Sequence, residues 1–533
     1  MIDFKAFLLL CVLPLFSSTD GTNILVIVAD DLGYNDISWH NPDIISPNLD
    51  KLAKDGIILE SHYVLHVCSP TRAALMTGYY PIHTGRQHSY IHAQEPKGLY
   101  TNFTLMSQYF QDIGYRTHMI GKWHLGFCHE DYIPNNRGFD TFYGYYTGSE
   151  DYYSHERKPS KGNSTPGYDF RDQDNPDRSA SGTYSTTLLA ERAVKVIQDH
   201  AENHTESPLF MYLPFQSVHG PLQVPKKYEN MYPNIKSKSR RIFSGMVSAM
   251  DEAVGMVVAE LKNKGMFEDT VIVFTADNGG QVESGGNNYP LRGNKRTMWE
   301  GGTRASAFIH SRMLENNGTI NNELIHVVDW IPTLLSAVKD QLPSEYESKV
   351  AEFLSEERDG IDQWAMLMGS EEGKRSEIVY NIDPNFDENG LNGAIRVGDW
   401  KLIKGDPSDD GHDGHYIPDT FEDFLCMDEH ENMDIQIESD DIAPPMPVMI
   451  DEKAIYLFDL KSDPNEYNNL AEENPDIVEE LLLKFDQYES TMIPPHNAPE
   501  TEAGNPSHFD GVWSPGWCES EPAMENEVII EII

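Results

Sequence analysis

The stretch Ile24-Leu25-Val26-Ile27-Val28-Ala29-Asp30-Asp31-Leu32-Gly33 decides the fold. Its continuous aliphatic run fits a strand buried on both faces of a parallel sheet, where no alternation with polar residues is needed. The run stops abruptly at two adjacent carboxylates and a glycine. The same grammar recurs along the chain. Tyr115 to Ile120 reads as a strand ending at Gly121-Lys122-Trp123-His124, and Leu209 to Leu213 as one leading to His219-Gly220-Pro221. Val271 to Thr275 reads as a third, ending at Ala276-Asp277-Asn278-Gly279-Gly280. Helical patterns lie between: Asn48 to Asp55, Thr104 to Ile113, Thr186 to His200, and Arg241 to Lys264 with Met246, Met250, Ala253, Val257 and Leu261 on one face. Strands alternating with helices predict an α/β fold with a mixed, mostly parallel sheet. Ligands of such sheets bind outside the carboxyl ends of the strands, so these polar strand ends are expected to converge on one crevice.

A second centre is Cys68-Ser69-Pro70-Thr71-Arg72, running on to Gly78. Ser69 suits an N-cap, Pro70 a first helical position and Gly78 a C-terminal stop, which puts Cys68 just before a short helix. The exposed N–H groups and dipole of that helix end favour an anion. Taken alone, Cys68 reads as a structural or disulfide cysteine; what changes that reading is whether the rest of the chain supplies a metal site and cations at matching places.

Asp30, Asp31 and Asp277 in one crevice would repel and raise their own pKa values. A hard divalent cation removes that conflict. Oxygen ligands, with Asn278 added, suit calcium or magnesium rather than zinc, and adjacent bidentate-capable carboxylates favour calcium. Arg72, Lys122, His124, His219 and Lys295 fall where the same crevice needs positive charge, the requirement of a transferred anionic group.

The chain has 533 residues and a formal net charge of −46, which argues against nucleic acid and anionic membranes as partners. Lys5, the apolar run from Phe7 to Phe16 and Ser17-Ser18-Thr19 read as a signal peptide over 1–19, too short to span a membrane. No second apolar stretch of spanning length is expected. Sequons at Asn102, Asn163, Asn203 and Asn317 fit a secretory route. Cys11 leaves with the signal, and Cys128, Cys426 and Cys518 allow one disulfide of unspecified pairing beside Cys68. The pattern changes after about residue 365. Ile378 to Asn381, Gly393 to Val397, Trp400 to Ile403 and Ala454 to Asp459 read as short antiparallel strands. Pro475 to Ser490 reads as a packed helix, and 405 to 441 as an acidic surface loop. The expected organisation is a signal over 1–19, a catalytic unit over 20–365 and a smaller C-terminal unit over 366–533.

These motifs, in this order, resemble the type I sulfatases: Val28-Ala29-Asp30-Asp31, the Cys68 stretch, Gly121-Lys122-Trp123-His124-Leu125-Gly126 and Ser217-Val218-His219. Thr275-Ala276-Asp277-Asn278-Gly279, Trp299-Glu300-Gly301-Gly302, Tyr456-Leu457-Phe458-Asp459-Leu460 and Asp463-Pro464-Asn465-Glu466 continue the likeness, which covers about residues 22 to 500. Thr117-His118-Met119 and the Gly148-to-Glu156 stretch resemble the arylsulfatase B, or N-acetylgalactosamine-4-sulfatase, subgroup. The resemblance implies an alkaline-phosphatase-like fold and a cysteine converted to formylglycine by the formylglycine-generating enzyme. It also implies one calcium ion held by Asp30, Asp31, Asp277, Asn278 and converted Cys68. Arg72 and Lys122 would hold the aldehyde hydrate, and Lys122, His219 and Lys295 the sulfate. His219 or Lys295 would protonate the leaving alcohol, and His124 would take a proton from the second hydroxyl. The implied substrates are aryl sulfates or sulfated glycans such as N-acetylgalactosamine 4-sulfate, and the implied location is secreted or lysosomal. Thr71 departs from the commoner serine of the signature, and the cysteine complement is poorer than that of arylsulfatase B. Against the charge of −46, a sulfatase site has to be a local positive island. The competing readings are a phosphatase or phosphodiesterase of the same superfamily, usually built on Ser or Thr and two metals, and an inactive protein that only binds sulfated glycans.

Overall fold

The computed structural model describes residues 21–387, 390–408, 413–415 and 445–520. The signal segment, Cys426 and most of the acidic loop lie outside the described residues. A ten-stranded mixed sheet forms the centre. Its middle is five parallel strands: β1 (Asn23–Ala29), β2 (Arg116–Lys122), β3 (Thr141–Tyr145), β4 (Leu209–Pro214) and β5 (Thr270–Ala276), in the order β5-β1-β4-β2-β3. Every residue of β1, β4 and β5 is buried, as their unbroken apolar character requires. Outside β5, Ala307–His310 runs antiparallel, followed by Ile57–Leu59 and Thr319–Asn321; beyond β3 come the short antiparallel pieces Arg171–Asp172 and Asn175–Pro176.

The register matters for function. Ala29 pairs with Ala276, and Val28 with both Thr275 and Pro214, so β1, β4 and β5 end level with one another. The expected α/β pattern and mostly parallel sheet are therefore observed, with the polar strand ends on one edge.

Among the helices are α1 (Cys68–Thr77), α2 (Ser185–Asn203), α3 (Lys238–Asn263) and α4 (Pro475–Thr491). By length and composition α3 could cross a membrane, contrary to the expectation that no second such stretch exists. Its sequence periodicity explains its place instead. Phe243, Met246, Met250, Ala253, Val257 and Leu261 are buried, and the helix packs against α2 and Pro47–Asp55 as a core element.

The C-terminal part is a five-stranded antiparallel sheet built from Glu377–Asp387, Gly390–Val397, Trp400–Lys404, Val448–Ile450 and Lys453–Asp459. Helix α4 packs on it, and Phe485 sits where a side chain at Gly393 would go. Lys401, fully buried, joins the two parts by bonding Glu300 at 3.0 Å and Glu466 at 2.7 Å. The final segment returns to the first part: Ile493 N–H donates to Ile82 O, His496 N–H to Gly85 O and Thr501 N–H to Gln94 O. A disulfide between Cys128 and Cys518 fastens its end.

Candidate active site

The carboxyl ends of the parallel strands are stitched together by backbone bonds. Asp30 N–H donates to Ser217 O at 2.9 Å, Val218 N–H to Asp30 O at 2.6 Å, and Asp277 N–H to Ala29 O at 3.0 Å. Asp31 turns sharply away from β1 with φ 58°, a left-handed conformation that Asp tolerates better than most residues. Beyond β4, the Tyr152 hydroxyl donates to His219 O at 2.8 Å and fixes that turn.

Helix α1 starts two residues earlier than the sequence suggests. Val67 is its N-cap, Cys68 its first residue, and Gly78 closes it in the left-handed region at φ 76°. Ser69 is not the cap because its hydroxyl has other partners: it donates to His124 O and accepts from Ile91 N–H, both at 3.0 Å. Thr71 accepts Leu65 N–H at 2.9 Å and so closes the turn that leads into the helix. Cys68 is buried, with Sγ 3.6 Å from Asp30 Oδ1. Burial pushes its thiol up to about 12, against the pull of Lys122 and Lys295.

The predicted cations and carboxylates meet. Arg72 donates to Asp277 Oδ2 from Nε at 3.1 Å and from Nη2 at 2.7 Å. Lys122 Nζ lies 2.5 Å from Asp30 Oδ2, and Lys295 Nζ 2.7 Å from Asp31 Oδ1. His219 Nε2 lies 3.7 Å from Asp31 Oδ2, while its Nδ1 is 2.8 Å from Gly220 O. Burial, reinforced by Asp277, raises Asp30 to about 7 despite Lys122 and Arg72. Burial opposes ionisation of Asp31 too, but Lys295 and His219 hold its carboxyl well below the usual range.

The donor set fits a hard cation. Asp31 Oδ2 and Asn278 Oδ1 are buried with no hydrogen-bond partner among the described residues, which costs free energy unless something else satisfies them. One ligand atom from each of Asp30, Asp31, Cys68 and His219 lies within 4.8 Å of the others. Asp277 is not among these four but lies beside them: its Oδ1 accepts Asp31 N–H at 3.3 Å. Orphaned oxygens and crowded carboxylates are what a hard divalent cation would resolve.

Cys68, His124, His219 and Lys295 line a cavity of about 200 Å³, which Tyr90, Ser149, Arg157, Gln281 and Arg296 help to wall. His124 Nε2 is 3.0 Å from Ile91 O, and its Nδ1 has no partner among the described residues. A carbonyl only accepts, so the proton belongs on Nε2 and the lone pair on Nδ1. Burial, Lys122 and Arg72 hold the ring well below its ordinary pKa, hence neutral. Gly148 makes room for it, since a Cβ there would stand 2.6 Å from His124 Cε1.

Of the sequence-predicted residues, Cys68, His124, His219 and Lys295 line the cavity and Asp30 and Asp31 cluster with Cys68 and His219, while Arg72 reaches Asp277, Lys122 reaches Asp30 and Asn278 reaches Asp31 through direct contacts. The sequence does not single out Tyr90, Arg157, Gln281 and Arg296, because they arrive on loops and a two-residue strand that carry no strand-end pattern. The adjacency of Arg296 to Lys295 was the only available signal. Among the sequons, Asn163 and Asn203 are exposed, the Asn102 amide is buried without a partner, and Asn317 Nδ2 donates to Ser311 O and Leu314 O.

Comparison with known proteins gives consistent findings. A family model described as Sulfatase matches residues 22–340. Arylsulfatase J of Mus musculus is 37% identical over 520 residues, covering 95% of this chain and 82% of its own. Arylsulfatase A of Bos taurus is 28% identical over 507 residues, covering 88% and 87%. The crystal structure of Ps i-CgsB in complex with k-i-k-neocarrahexaose matches with a TM-score of 0.72 and 26% identity, covering 92% of this chain and 97% of that one.

Proposed function

The chain belongs to the sulfatase family, and from that premise we propose that it hydrolyses sulfate esters of glycans, with N-acetylgalactosamine 4-sulfate as the preferred unit. The observation that carries this reading is the gathering of Arg72, Lys122, His124, His219 and Lys295 with the carboxylates of Asp30, Asp31 and Asp277 around buried Cys68. As a thiol, residue 68 is a poor nucleophile, because burial keeps it protonated. Conversion to formylglycine by the generating enzyme would supply an aldehyde hydrate with one hydroxyl to attack sulfur and a second for elimination. Asp30, Asp31, Asp277, Asn278 and residue 68 would hold one calcium ion, which would polarise a sulfate oxygen.

The chain's own side chains do the rest. Lys122, His219 and Lys295 bind the sulfate oxygens, and Arg72 and Lys122 fix the nucleophile. Burial pushes His219 down to about 3, whereas Asp31 holds Lys295 protonated, so Lys295 is the better donor to the leaving alcohol. His124 accepts a proton at Nδ1, the nitrogen left free by its Ile91 bond. Fixed donors in a site shielded from water act where charge develops.

The Cys128–Cys518 disulfide supports an oxidising compartment, hence the secretory route and a secreted or lysosomal protein with glycans on exposed Asn163 and Asn203. We assign the catalytic unit to 20–365 and the smaller unit to 366–533. Sulfate release from paired 4-sulfated and 6-sulfated N-acetylgalactosamine substrates tests the reading. Preference for the 4-sulfate supports it; equal rates on both overturn the substrate assignment.

A further inference from the structure

Two arginines in the catalytic cavity have no part in the contacts assigned above. Arg157 stands on the short strand Glu156–Arg157, and Arg296 follows Lys295 with φ 73°. Both line the cavity with Cys68. None of the described residues lining it is Asp or Glu, in a chain with 86 acidic residues against 40 Lys and Arg. On chance alone such a wall would carry carboxylates.

Arg157 is half-buried, and its Nη1 donates to Ser149 O and Ser149 Oγ, both at 3.0 Å. These acceptors are neutral, and among the described residues no carboxylate lies within ion-pair distance of its guanidinium. Removing a charge from water without an ion partner is unfavourable, so an anion entering the cavity gains what the fold leaves unmet. The guanidinium is also held in place rather than waving in solvent. Trp513 Nε1 donates to Arg157 O at 3.3 Å, Asp151 N–H donates to Glu156 O at 3.0 Å, and the buried Glu150–His155 pair at 2.8 Å closes the loop that carries it. A preorganised planar fork suits carboxylate and sulfate groups better than a flexible ammonium does.

We propose that Arg157, with Arg296 in the same cavity, forms a second anion subsite that binds a carboxylate or a further sulfate ester of the substrate beyond the ester being cleaved. The substrate is therefore a polyanionic glycan, and Arg157 selects for its second charge. This rests on the sulfatase reading and deepens it.

The test compares wild type with Arg157→Gln and Arg157→Lys on three substrates that share one cleavable sulfate. One is a disaccharide with a neutral partner sugar, one carries a uronic acid, and one carries a second sulfate. In Arg157→Gln the kcat/KM for an anionic partner, divided by that for the neutral one, falls about tenfold to a hundredfold, mainly through KM. Arg157→Lys recovers part of it, because charge remains while the fork is lost. The arm that falls identifies the group as carboxylate or sulfate. Both rates come from one preparation, so loss of folded enzyme cancels in the ratio. An unchanged ratio on both anionic arms overturns the subsite. If wild type cleaves none of the three, the sulfatase reading fails instead. Calorimetric binding of the uronate disaccharide without its sulfate still reads the subsite: weaker binding to Arg157→Gln supports it, and equal binding overturns it.

Discussion

Arg72 of α1 clasps Asp277 at the end of β5 through two donors, with Nε at 3.1 Å and Nη2 at 2.7 Å from the same Oδ2. Both side chains are sealed from solvent. The pair fastens the residue-68 helix to the carboxylate edge of the sheet, which is why far-apart segments share one site. Removing one partner of a buried pair leaves an uncompensated charge. Arg72→Ala is expected to lose about 3–5 kcal/mol in denaturant unfolding, and Arg72→Lys less. A loss below about 1 kcal/mol would mean that Asp277 finds another partner or a proton.

Metal removal is expected to lower the melting temperature and abolish sulfate release, with both restored by calcium. A ligand at a hundred times its Kd stabilises by about 2.7 kcal/mol. Asn278→Ala, which deletes one of the orphaned oxygens, is expected to weaken calcium binding in a titration followed by melting temperature. A chelated protein that melts like the untreated one contradicts the metal site.

Gly148→Ala probes His124 without substituting it. The new Cβ would stand 2.6 Å from His124 Cε1, so the imidazole has to move. A displacement on the order of 1 Å at a reacting group costs on the order of 10²-fold in rate. The expected result is a large fall in kcat with a circular dichroism spectrum like that of wild type. An unaltered kcat would remove His124 from the chemistry.

His62 gives a pH prediction away from the metal residues. It is fully buried, its Nε2 accepts the Trp330 indole N–H at 3.0 Å, and burial lowers its pKa from 6.5 to about 3. The unfolded chain therefore binds the proton between these values and the folded chain does not. The stability contribution is complete above pH 6.5 and is lost as pH falls through the window towards 3. In His62→Gln the slope of unfolding free energy against pH in that window is expected to flatten by up to about 1.4 kcal/mol per pH unit. An identical slope would show that His62 does not titrate as its burial requires.

The Cys128–Cys518 bridge closes a loop of 390 residues and anchors the segment whose Trp513 braces Arg157. Cys518→Ser is expected to lower stability by about 2–5 kcal/mol and to speed proteolysis near residue 513. Unchanged protease resistance would mean that packing alone holds the tail.

The fold was legible where sequence and burial speak the same language. Ile24 to Val28 and Val271 to Thr275 are apolar throughout because their strands are covered on both faces, and the carboxylates after them mark the sheet edge. Parallel strands end on one side, so knowing the strands nearly fixed the site. The start of α1 was misread because Ser69 has cap chemistry but spends its hydroxyl on His124 and Ile91, contacts set by tertiary structure. The return of residues 493–520 and the cysteine pairing were not legible either. No periodicity marks that extended segment, and three candidate cysteines do not choose among themselves. Arg157 was invisible for a similar reason: its placement depends on a loop held by Glu150, His155 and Trp513, none of them near it through a repeating pattern.

The central claim is that residue 68 becomes the nucleophile. Peptide mass spectrometry across residues 68 to 78 of secreted, active protein tests it most directly. An aldehyde in place of the Cys68 thiol is the predicted result, and intact cysteine in protein that still releases sulfate would contradict it.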